Sequence, residues 1–254
     1  MTKQSGQNAK PELKRSGAYW VVSVPAGGEA EAIDLWQVNG ASGFSFNSIT
    51  GANQASVDRV LAGSQPVRLV FANMASLDYD AVYSCHSVQE LVLGYECPWP
   101  DLTKLQRLTY FSVLEICGDL CELPPTLSGL SLYGYRGRDL QELSFLQHLS
   151  QLDLRMAARL ENLTGISIHM ADLTLAGCPR LHDLAAIEGH GALRRLYLSK
   201  CSGLKSADEV LTLPNLKELT LDKVPAKLDP QSVDALRLDF GFINGRRYGR
   251  KEMQ

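Results

Sequence analysis

The sequence predicts an α/β solenoid, in which short helices or 3₁₀ turns on the convex side connect the strands of a curved parallel sheet. Two observations predict it. Residues 170–181 and 193–204 share one pattern of apolar residues and a cysteine, LxxLxLxxCxxL, repeated after 23 residues. The shorter pattern LxxLxL returns along most of the chain. A fixed period in the twenties is typical of repeat proteins, whose units bury their apolar faces against their neighbours.

The repeat runs from residue 65 to residue 240 and gives about nine strands. The alternation within LxL places two leucines on one face of a short strand and the residue between them on the other face. Six of the eight spacings between central leucines are 21 to 23 residues, and the other two are 16 and 17. The central residues are Leu69, Leu91, Leu114, Leu130, Leu152, Leu173, Leu196, Leu219 and Leu236.

Two connections carry local signals. Ser206 precedes Asp208 and Glu209, which predicts a helix start with Ser206 as its cap. In the 16-residue unit, Leu123 stands before Pro124. We expect Leu123 to be extended, because a proline disfavours helical backbone in the residue before it.

Residues 1–64 fit the repeat poorly and are interpreted as an N-terminal tail and cap. Residues 1–17 are polar and lack periodicity, which predicts a mobile tail. Residues 18–24 and 43–49 predict strands, and residues 56–61 predict a helical turn. A repeat array must cover its terminal core, which favours a cap. The alternative is a further degenerate repeat with Phe46 in the leucine position.

Residues 241–254 are interpreted as a C-terminal cap and basic tail. The cluster from Phe240 to Ile243 is expected to close the core, and the tail carries Arg246, Arg247, Arg250 and Lys251. Four basic residues with one aromatic are weak evidence for nucleic-acid binding in a chain of net charge −3. We therefore expect no nucleic-acid partner.

The motifs from Leu149-x-x-Leu152-x-Leu154 to Leu216-x-x-Leu219-x-Leu221 resemble those of the leucine-rich repeat family. With short, irregular units and no enzyme domain, the chain resembles short bacterial cytosolic members of that family. The resemblance implies a non-catalytic protein that binds other proteins. Some bacterial repeat proteins are immunity proteins that neutralise a cognate toxin.

Composition and cysteine spacing predict a cytoplasmic protein without membrane contact. No stretch approaches the 18 apolar residues that indicate a transmembrane helix. Residues 18–24 only faintly imitate a signal peptide, and a strand is the preferred interpretation. The six cysteines form no paired framework, which favours reduced thiols. Cys178 and Cys201 hold equivalent positions in successive repeats and are expected to act as small buried hydrophobic residues. The alternative, a more specific function, is that the two thiols form a redox-sensing pair.

Catalysis and metal binding find little support in the sequence. Cys117-x-x-x-Cys121 and Cys85-His86 lack a second ligand pair at the spacing of zinc sites. The chain contains no GxSxG elbow and no GxxxxGK[ST] loop. We therefore expect no catalytic residues, no metal, no cofactor and no enzyme activity.

The exposed, concave face of the predicted sheet is the candidate site. Its side chains are aromatic, basic and acidic, the types that anchor protein interfaces, although exposed strand positions are ordinarily polar. Arg155 and Arg195 are expected to pair with acids of the partner, and Asp153 with a base. Thr174, Ala176 and Gly177 leave room for a shallow pocket. The candidate residues are Tyr95, Glu115, Tyr133, Asp153, Arg155, Arg195, Tyr197, Lys200, Asp222 and Arg237.

The leading hypothesis is a bacterial immunity protein that binds and neutralises a toxin. The alternative is a secreted effector or signalling scaffold that uses the same surface on a host or regulatory protein. A toxin gene next to this one would favour the first hypothesis, and detection of the protein outside its cell the second.

Overall fold

The computed structural model describes residues 9–249 and divides the chain into two compact units. The first unit ends at Gly118 and the second begins at Asp119. In both units short strands, most of them parallel, alternate with short helices, 3₁₀ turns or loops. This is the α/β repeat arrangement that the LxxLxL pattern predicts.

The first unit contains six strands and three α-helices among its described residues. They are β1 (Glu12–Ser16), β2 (Tyr19–Val24), α1 (Glu29–Asn39), β3 (Gly43–Asn47), α2 (Gln54–Ala62), β4 (Arg68–Ala72), α3 (Asp80–Tyr83), β5 (Glu90–Leu93) and β6 (Tyr110–Val113). β1 pairs with β2 in antiparallel fashion, and β2 to β6 pair in parallel, each with the next. Short 3₁₀ turns cover Ser48–Thr50 and Leu102–Lys104.

Aromatic side chains take the leucine positions in the core of the first unit. Phe44 and Phe46 from β3 and Phe71 from β4 are fully buried. The rings of Phe46 and Phe71 stack with their centroids 5.3 Å apart, and Tyr79 meets the Phe71 ring edge-on at 6.1 Å. Aromatic rings occupy the repeat positions that leucines occupy elsewhere in the chain. This explains why residues before 65 fit a leucine pattern poorly.

Residues 19–62 continue the strand-and-helix repeat. β2 and β3 are parallel to β4, and α1 and α2 provide their connections. The degenerate-repeat alternative had the wrong phase, because Phe44 and not Phe46 pairs with Leu69. The tail prediction was also wrong for Glu12–Ser16, which forms β1; residues 1–8 lie outside the described part.

The strand around Leu114 lies three residues earlier than predicted. Leu91 pairs with Phe111, which is fully buried, while Leu114 is 38% exposed in a bend after the strand. The pattern Leu108-x-x-Phe111-x-Val113 fits LxxLxL equally well, and the structure uses this phase. The short spacing of 16 residues was a consequence of the wrong phase.

The second unit contains seven strands and one α-helix among its described residues. They are β7 (Gly129–Tyr133), β8 (Gln151–Arg155), β9 (Asp172–Ala176), β10 (Arg195–Ser199), β11 (Glu218–Asp222), α4 (Pro230–Ala235), β12 (Phe240–Ile243) and β13 (Arg246–Tyr248). β7 to β12 pair in parallel, each with the next, and β13 is antiparallel to β12. 3₁₀ turns cover Leu120–Glu122, Gln141–Leu143, Ala185–Ile187 and Asp208–Thr212.

Leucine ladders form the core of the second unit, as predicted. Leu152, Leu173 and Leu196 pair across neighbouring strands and are at most 2% exposed. Leu123 is extended (φ −62°, ψ 134°), in agreement with its position before proline. The helix predicted from Ser206 is a 3₁₀ turn that begins two residues later, at Asp208.

The last repeat was placed wrongly around Leu236. Leu236 follows α4, and the strand partner of Leu219 is Gly241 in β12. A glycine stands in this leucine position because an added Cβ would lie 2.8 Å from the Cβ of Tyr248. The two-residue loop Asn244-Gly245, in which both residues have positive φ, leads into β13. Positive φ at both central residues is the requirement of a type I′ hairpin turn.

The basic tail is therefore partly a strand. Arg246 and Arg247 lie in β13, and Arg247 pairs with Phe242. An antiparallel hairpin strand is an ordinary way to end a sheet, because it satisfies the backbone groups of the strand beneath it. Arg250 and Lys251 lie outside the described residues.

Candidate functional site

Three columns of side chains line the face of β7 to β11 that points away from the leucine core. The register of the five strands is continuous, so equivalent residues stand side by side. The first column is Gly129, Gln151, Asp172, Arg195 and Glu218. The second column is Ser131, Asp153, Thr174, Tyr197 and Thr220. The third column is Tyr133, Arg155, Ala176, Ser199 and Asp222. The alternation predicted for these strands is confirmed.

Asp153 and Arg155 form an ion pair within β8. The Nε atom of Arg155 donates to both carboxylate oxygens of Asp153 at 3.1 Å, and Nη2 donates to Oδ2 at 3.0 Å. Two residues apart on a strand, they share a face, which permits this contact. The guanidinium is exposed but held in one orientation, and it is already paired before any partner arrives.

Asp172 is the centre of a second network, across three strands. Arg195 of β10 donates to its two oxygens at 2.5 and 2.6 Å, and Gln151 of β8 donates to Oδ2 at 3.0 Å. Burial opposes ionisation of Asp172, but the hydrogen bonds from Arg195 and Gln151 outweigh it and lower its pKa. The same contact raises the pKa of Arg195. Sequence reasoning missed Asp172 as the partner of Arg195, although the residues are 23 apart, one repeat.

Large apolar side chains are exposed on and beside this face. Tyr133 is 36% exposed and Tyr197 is 40% exposed. Met156, directly after β8, and Phe240, in β12 beside Glu218, are about half exposed. Sequence reasoning did not select Met156 or Phe240. Continuing the fixed repeat spacing one unit beyond Glu218 would have pointed to Phe240.

Lys200 and Asp222 lie near the carboxyl ends of β10 and β11. Asp222 accepts a hydrogen bond from the hydroxyl of Ser199 at 3.2 Å. Lys200 follows β10 directly with a positive φ of 54°, and its side chain is exposed. Together with Tyr133, Asp153, Arg155, Arg195 and Tyr197, they make seven predicted residues that lie on β7 to β11 or directly after one of these strands.

The other three predicted residues lie elsewhere. Tyr95 and Glu115 belong to the first unit; both are exposed, and both follow strands. Glu115 was assigned to the outward column of β6, but the corrected phase gives that place to Ser112. Arg237 was assigned to a strand and instead lies in the connection between α4 and β12, with a φ of 53°.

The described residues contain surface depressions in both units. A depression of about 470 Å³ in the second unit is lined by Gln147, Ile166, Ile168 and His169 among others. One of about 280 Å³ in the first unit is lined by Tyr83, Cys85, His86, Lys104 and Arg107 among others. Between residues 9 and 249, no three His, Cys, Asp or Glu side chains are grouped to hold a metal ion. No described helix is long and apolar enough to cross a membrane.

Cys178 and Cys201 are fully buried neighbours in successive repeats. The Cys201 thiol donates to the carbonyls of Ser199 at 3.5 Å and Leu175 at 3.7 Å. A hydrogen bond with Cys201, together with burial, raises the pKa of Cys178. The Cys201 thiol thus contacts backbone, as predicted, while the Cys178 thiol interacts with Cys201 and with the backbone of Ala157 in the preceding repeat.

Comparison with known proteins decides the fold. No protein-family model matches the sequence, and no curated protein does. Among solved structures, the internalin InlF from Listeria monocytogenes matches with a TM-score of 0.50 and 14% identity, over 84% of this chain and 64% of that one. The chain has the leucine-rich repeat fold.

Two further solved structures are similar. The functional domain of InlJ from Listeria monocytogenes has 17% identity and a TM-score of 0.49, over 73% of this chain and 40% of that one. A leucine-rich repeat protein from Leptospira interrogans has 16% identity and a TM-score of 0.45, over 72% and 54%. The chain thus spans between 40% and 64% of the length of these three proteins.

Proposed function

We propose that this leucine-rich repeat protein is a non-catalytic binding protein that recognises another protein with the exposed face of β7 to β11. The observation that carries the proposal is that exposed aromatic rings lie beside charged side chains whose orientation is already fixed by ion pairs within the protein. Tyr133 and Tyr197 are exposed beside the Asp153–Arg155 pair and the Asp172–Arg195 pair.

Such a surface is suited to tight binding for two physical reasons. Tyrosine and arginine are enriched among the residues that dominate the binding energy of protein interfaces. Immobilising a flexible side chain on binding costs about 0.5–1.5 kcal/mol. Arg155 and Arg195 are ordered before binding, because each makes two or more hydrogen bonds to a carboxylate of its own unit.

The specific role we propose is that of a cytoplasmic immunity protein of a bacterium, which neutralises a toxin by covering its active surface. Covering the active surface of a toxin requires only binding and no catalytic step, and the aromatic and charged side chains described above are suited to binding. This finer role is supported by the resemblance to short bacterial repeat proteins. It predicts a toxin encoded beside the gene for this protein.

Co-expression tests the role directly. The product of the neighbouring gene would be expressed in a sensitive bacterial host, with and without this protein, and growth would be followed. We expect growth arrest by that product alone and rescue by the wild-type chain. The double variant Tyr133→Ala/Tyr197→Ala should lose the rescue, whereas Glu188→Ala, an exposed change in the connection between β9 and β10, should retain it.

Two results would count against the proposal. If the neighbouring product arrests growth and the wild-type chain gives no rescue, the immunity role is wrong. If the double tyrosine variant, folded and expressed at the wild-type level, rescues as well as wild type, the binding surface is not this face.

A further inference from the structure

A row of positive-φ residues runs along the carboxyl ends of β7 to β11. The residue directly after each strand has φ between 54° and 76°: Gly134, Met156, Gly177, Lys200 and Lys223. The backbone N–H of four of them donates to the carbonyl at the end of the next strand, at 2.7 to 2.9 Å. These hydrogen bonds continue the pairing of each strand with the next by one residue beyond the strand end.

Glycine adopts a positive φ without steric strain, but only two of the five residues in the row are glycines. A side chain on a left-handed backbone places its Cβ close to the following carbonyl oxygen, at a cost in free energy. Met156, Lys200 and Lys223 each bear that cost. Residues held in such conformations cluster at functional sites, so the side chains at these positions are candidates for a role in binding.

These side chains are not needed inside the fold. Met156 is 53% exposed, and both lysines are exposed. Neither lysine has an ion pair within residues 9–249. The Met156 side chain has room because residue 177 is glycine: an added Cβ at Gly177 would lie 2.8 Å from the Met156 sulfur.

Several basic side chains follow the row. The turns that follow it carry exposed Arg159, Arg180, Lys205 and Lys227. The turns also carry acids: Glu161 pairs with Arg138 at 3.3 Å, Asp222 accepts from the hydroxyl of Ser199, and Asp183 and Asp208 are exposed. A segment that binds along the row therefore meets two lysines without an ion pair among residues 9–249 and one exposed thioether.

We propose that the row of Met156, Lys200 and Lys223 docks an acidic segment of a partner protein, with an apolar side chain of that segment resting on Met156. The proposal deepens the proposed function and rests on it. It adds a charged contact at the carboxyl ends of the strands to the recognition proposed for the middle of the sheet face. Charge complementarity selects an acidic occupant and speeds its encounter.

Stability gives a first test that needs no partner. The double variant Lys200→Gly/Lys223→Gly removes two strained residues, so its melting temperature should equal or exceed that of wild type, by about 2–4 °C per site at most. The control Arg194→Ala/Lys217→Ala removes two positive charges at the opposite ends of β10 and β11. A clear fall in melting temperature of the glycine variant would show that the lysines support the fold, and would overturn the proposal.

Binding is tested with a displayed library of random 16-residue peptides, selected on the full-length folded chain. Enriched peptides should be acidic and contain an apolar residue. Their affinity, from fluorescence polarisation, should fall about tenfold or more on Lys200→Gly/Lys223→Gly and less than about twofold on the control pair. Met156→Gly should reduce affinity for peptides that carry the apolar residue.

Several outcomes would overturn the inference: no enrichment, enrichment of neutral or basic peptides, or full binding by the glycine variant. Self-association or oligonucleotide binding that is lost in the glycine variant would assign the row to another occupant and would also overturn it. The two proposals fail separately. If a cellular partner binds wild type and the glycine variant equally but fails to bind Tyr197→Ala, the binding function stands and the acidic-segment inference falls.

Discussion

Arg68 and Glu90 form an ion pair that is buried even though it lies on the face of the sheet away from the core. The two residues stand side by side in β4 and β5 and are 6% and 8% exposed. The Arg68 guanidinium lies 5.3 Å from the ring centroid of Tyr19 and 5.6 Å from that of Tyr110. Its Nε donates to the hydroxyl of Ser16 at 3.2 Å. Neighbouring strands thus shield the pair from water.

Removal of one partner of this pair should strongly destabilise the first unit. Arg68→Ala leaves a buried carboxylate without its cation, which costs about 3–5 kcal/mol. The double change Arg68→Met/Glu90→Leu should recover most of the loss, because neither charge remains buried. All three tryptophans lie in this unit, so urea unfolding followed by tryptophan fluorescence measures the effect.

An exposed ion pair provides the control. Lys104 and Asp101 are 3.8 Å apart with about half of each side chain exposed, and Lys104→Ala should cost at most about 1 kcal/mol. Equal losses from Arg68→Ala and Lys104→Ala would mean that the Arg68 pair is hydrated in solution.

The sequence predicts the fold wherever leucine fills the repeat positions, and it fails where another residue replaces leucine. Five strands from Leu130 to Leu219 have the predicted phase. Three more units were missed or misplaced because another residue stands in the leucine position: phenylalanine at 44 and 111, and glycine at 241. At these positions steric packing, and not the presence of leucine, determines which residue fits. Asn244-Gly245 was a readable hairpin signal for the end of the sheet.

The phase of β6 can be tested by a pair of alanine substitutions. Phe111 is fully buried and Leu114 is 38% exposed. Phe111→Ala should therefore cost about 3–5 kcal/mol, and Leu114→Ala at most about 1 kcal/mol. Urea unfolding of the two variants would give the difference. The reverse order would restore the phase with Leu114 at the centre.

The candidate site was predictable in its columns but not in its internal contacts. Period-two alternation correctly placed Tyr133, Asp153, Arg155, Arg195 and Tyr197 on one face. The ion pair between Arg195 and Asp172 depends both on the register of the strands and on the rotamers of the two side chains. A pattern of leucines does not predict the two together. The positive φ of Lys200 could not be foreseen from a residue type that rarely adopts it.

The cysteine pair should be structural and chemically inert in the folded protein. Iodoacetamide labelling followed by mass spectrometry should modify the exposed Cys117 and Cys121 first, while the fully buried Cys178 and Cys201 react only on unfolding. Cys178→Ser should cost about 1–3 kcal/mol, because a buried hydroxyl without a good partner is unfavourable. Cys117→Ser is the control and should change stability by about 0.5 kcal/mol or less. Rapid labelling of Cys178 would contradict the structural role.

Asp172 should make the stability of the second unit depend on pH in the acid range. Its folded-state pKa is lowered, so its contribution is fully present above the unfolded pKa of about 3.9 and is lost as pH falls through the lower folded value. The difference in unfolding free energy between wild type and Asp172→Asn should be about 1 kcal/mol or less at pH 7, because the pair is partly exposed. It should shrink below about pH 4. Denaturant titrations monitored by circular dichroism at pH 7 and pH 3 would measure it; a constant difference would contradict the lowered pKa.

The centre of the proposed interface lies at Tyr197 and at the Asp153–Arg155 pair. Once a partner is identified, Tyr197→Ala should weaken binding by about 2 kcal/mol without unfolding the protein, because it removes an exposed aromatic anchor. Arg155→Ala should have a similar effect if the guanidinium contacts the partner. Since Arg155 also neutralises Asp153, Arg155→Ala leaves that carboxylate unpaired, which is a second cause of weaker binding. The double variant Asp153→Ala/Arg155→Ala separates the two causes: binding that stays weak places Arg155 at the partner, and binding that recovers assigns the effect to Asp153. Calorimetric titration would measure all four chains, with Glu188→Ala as the control. Full affinity in both Tyr197→Ala and Arg155→Ala would move the interface away from this face.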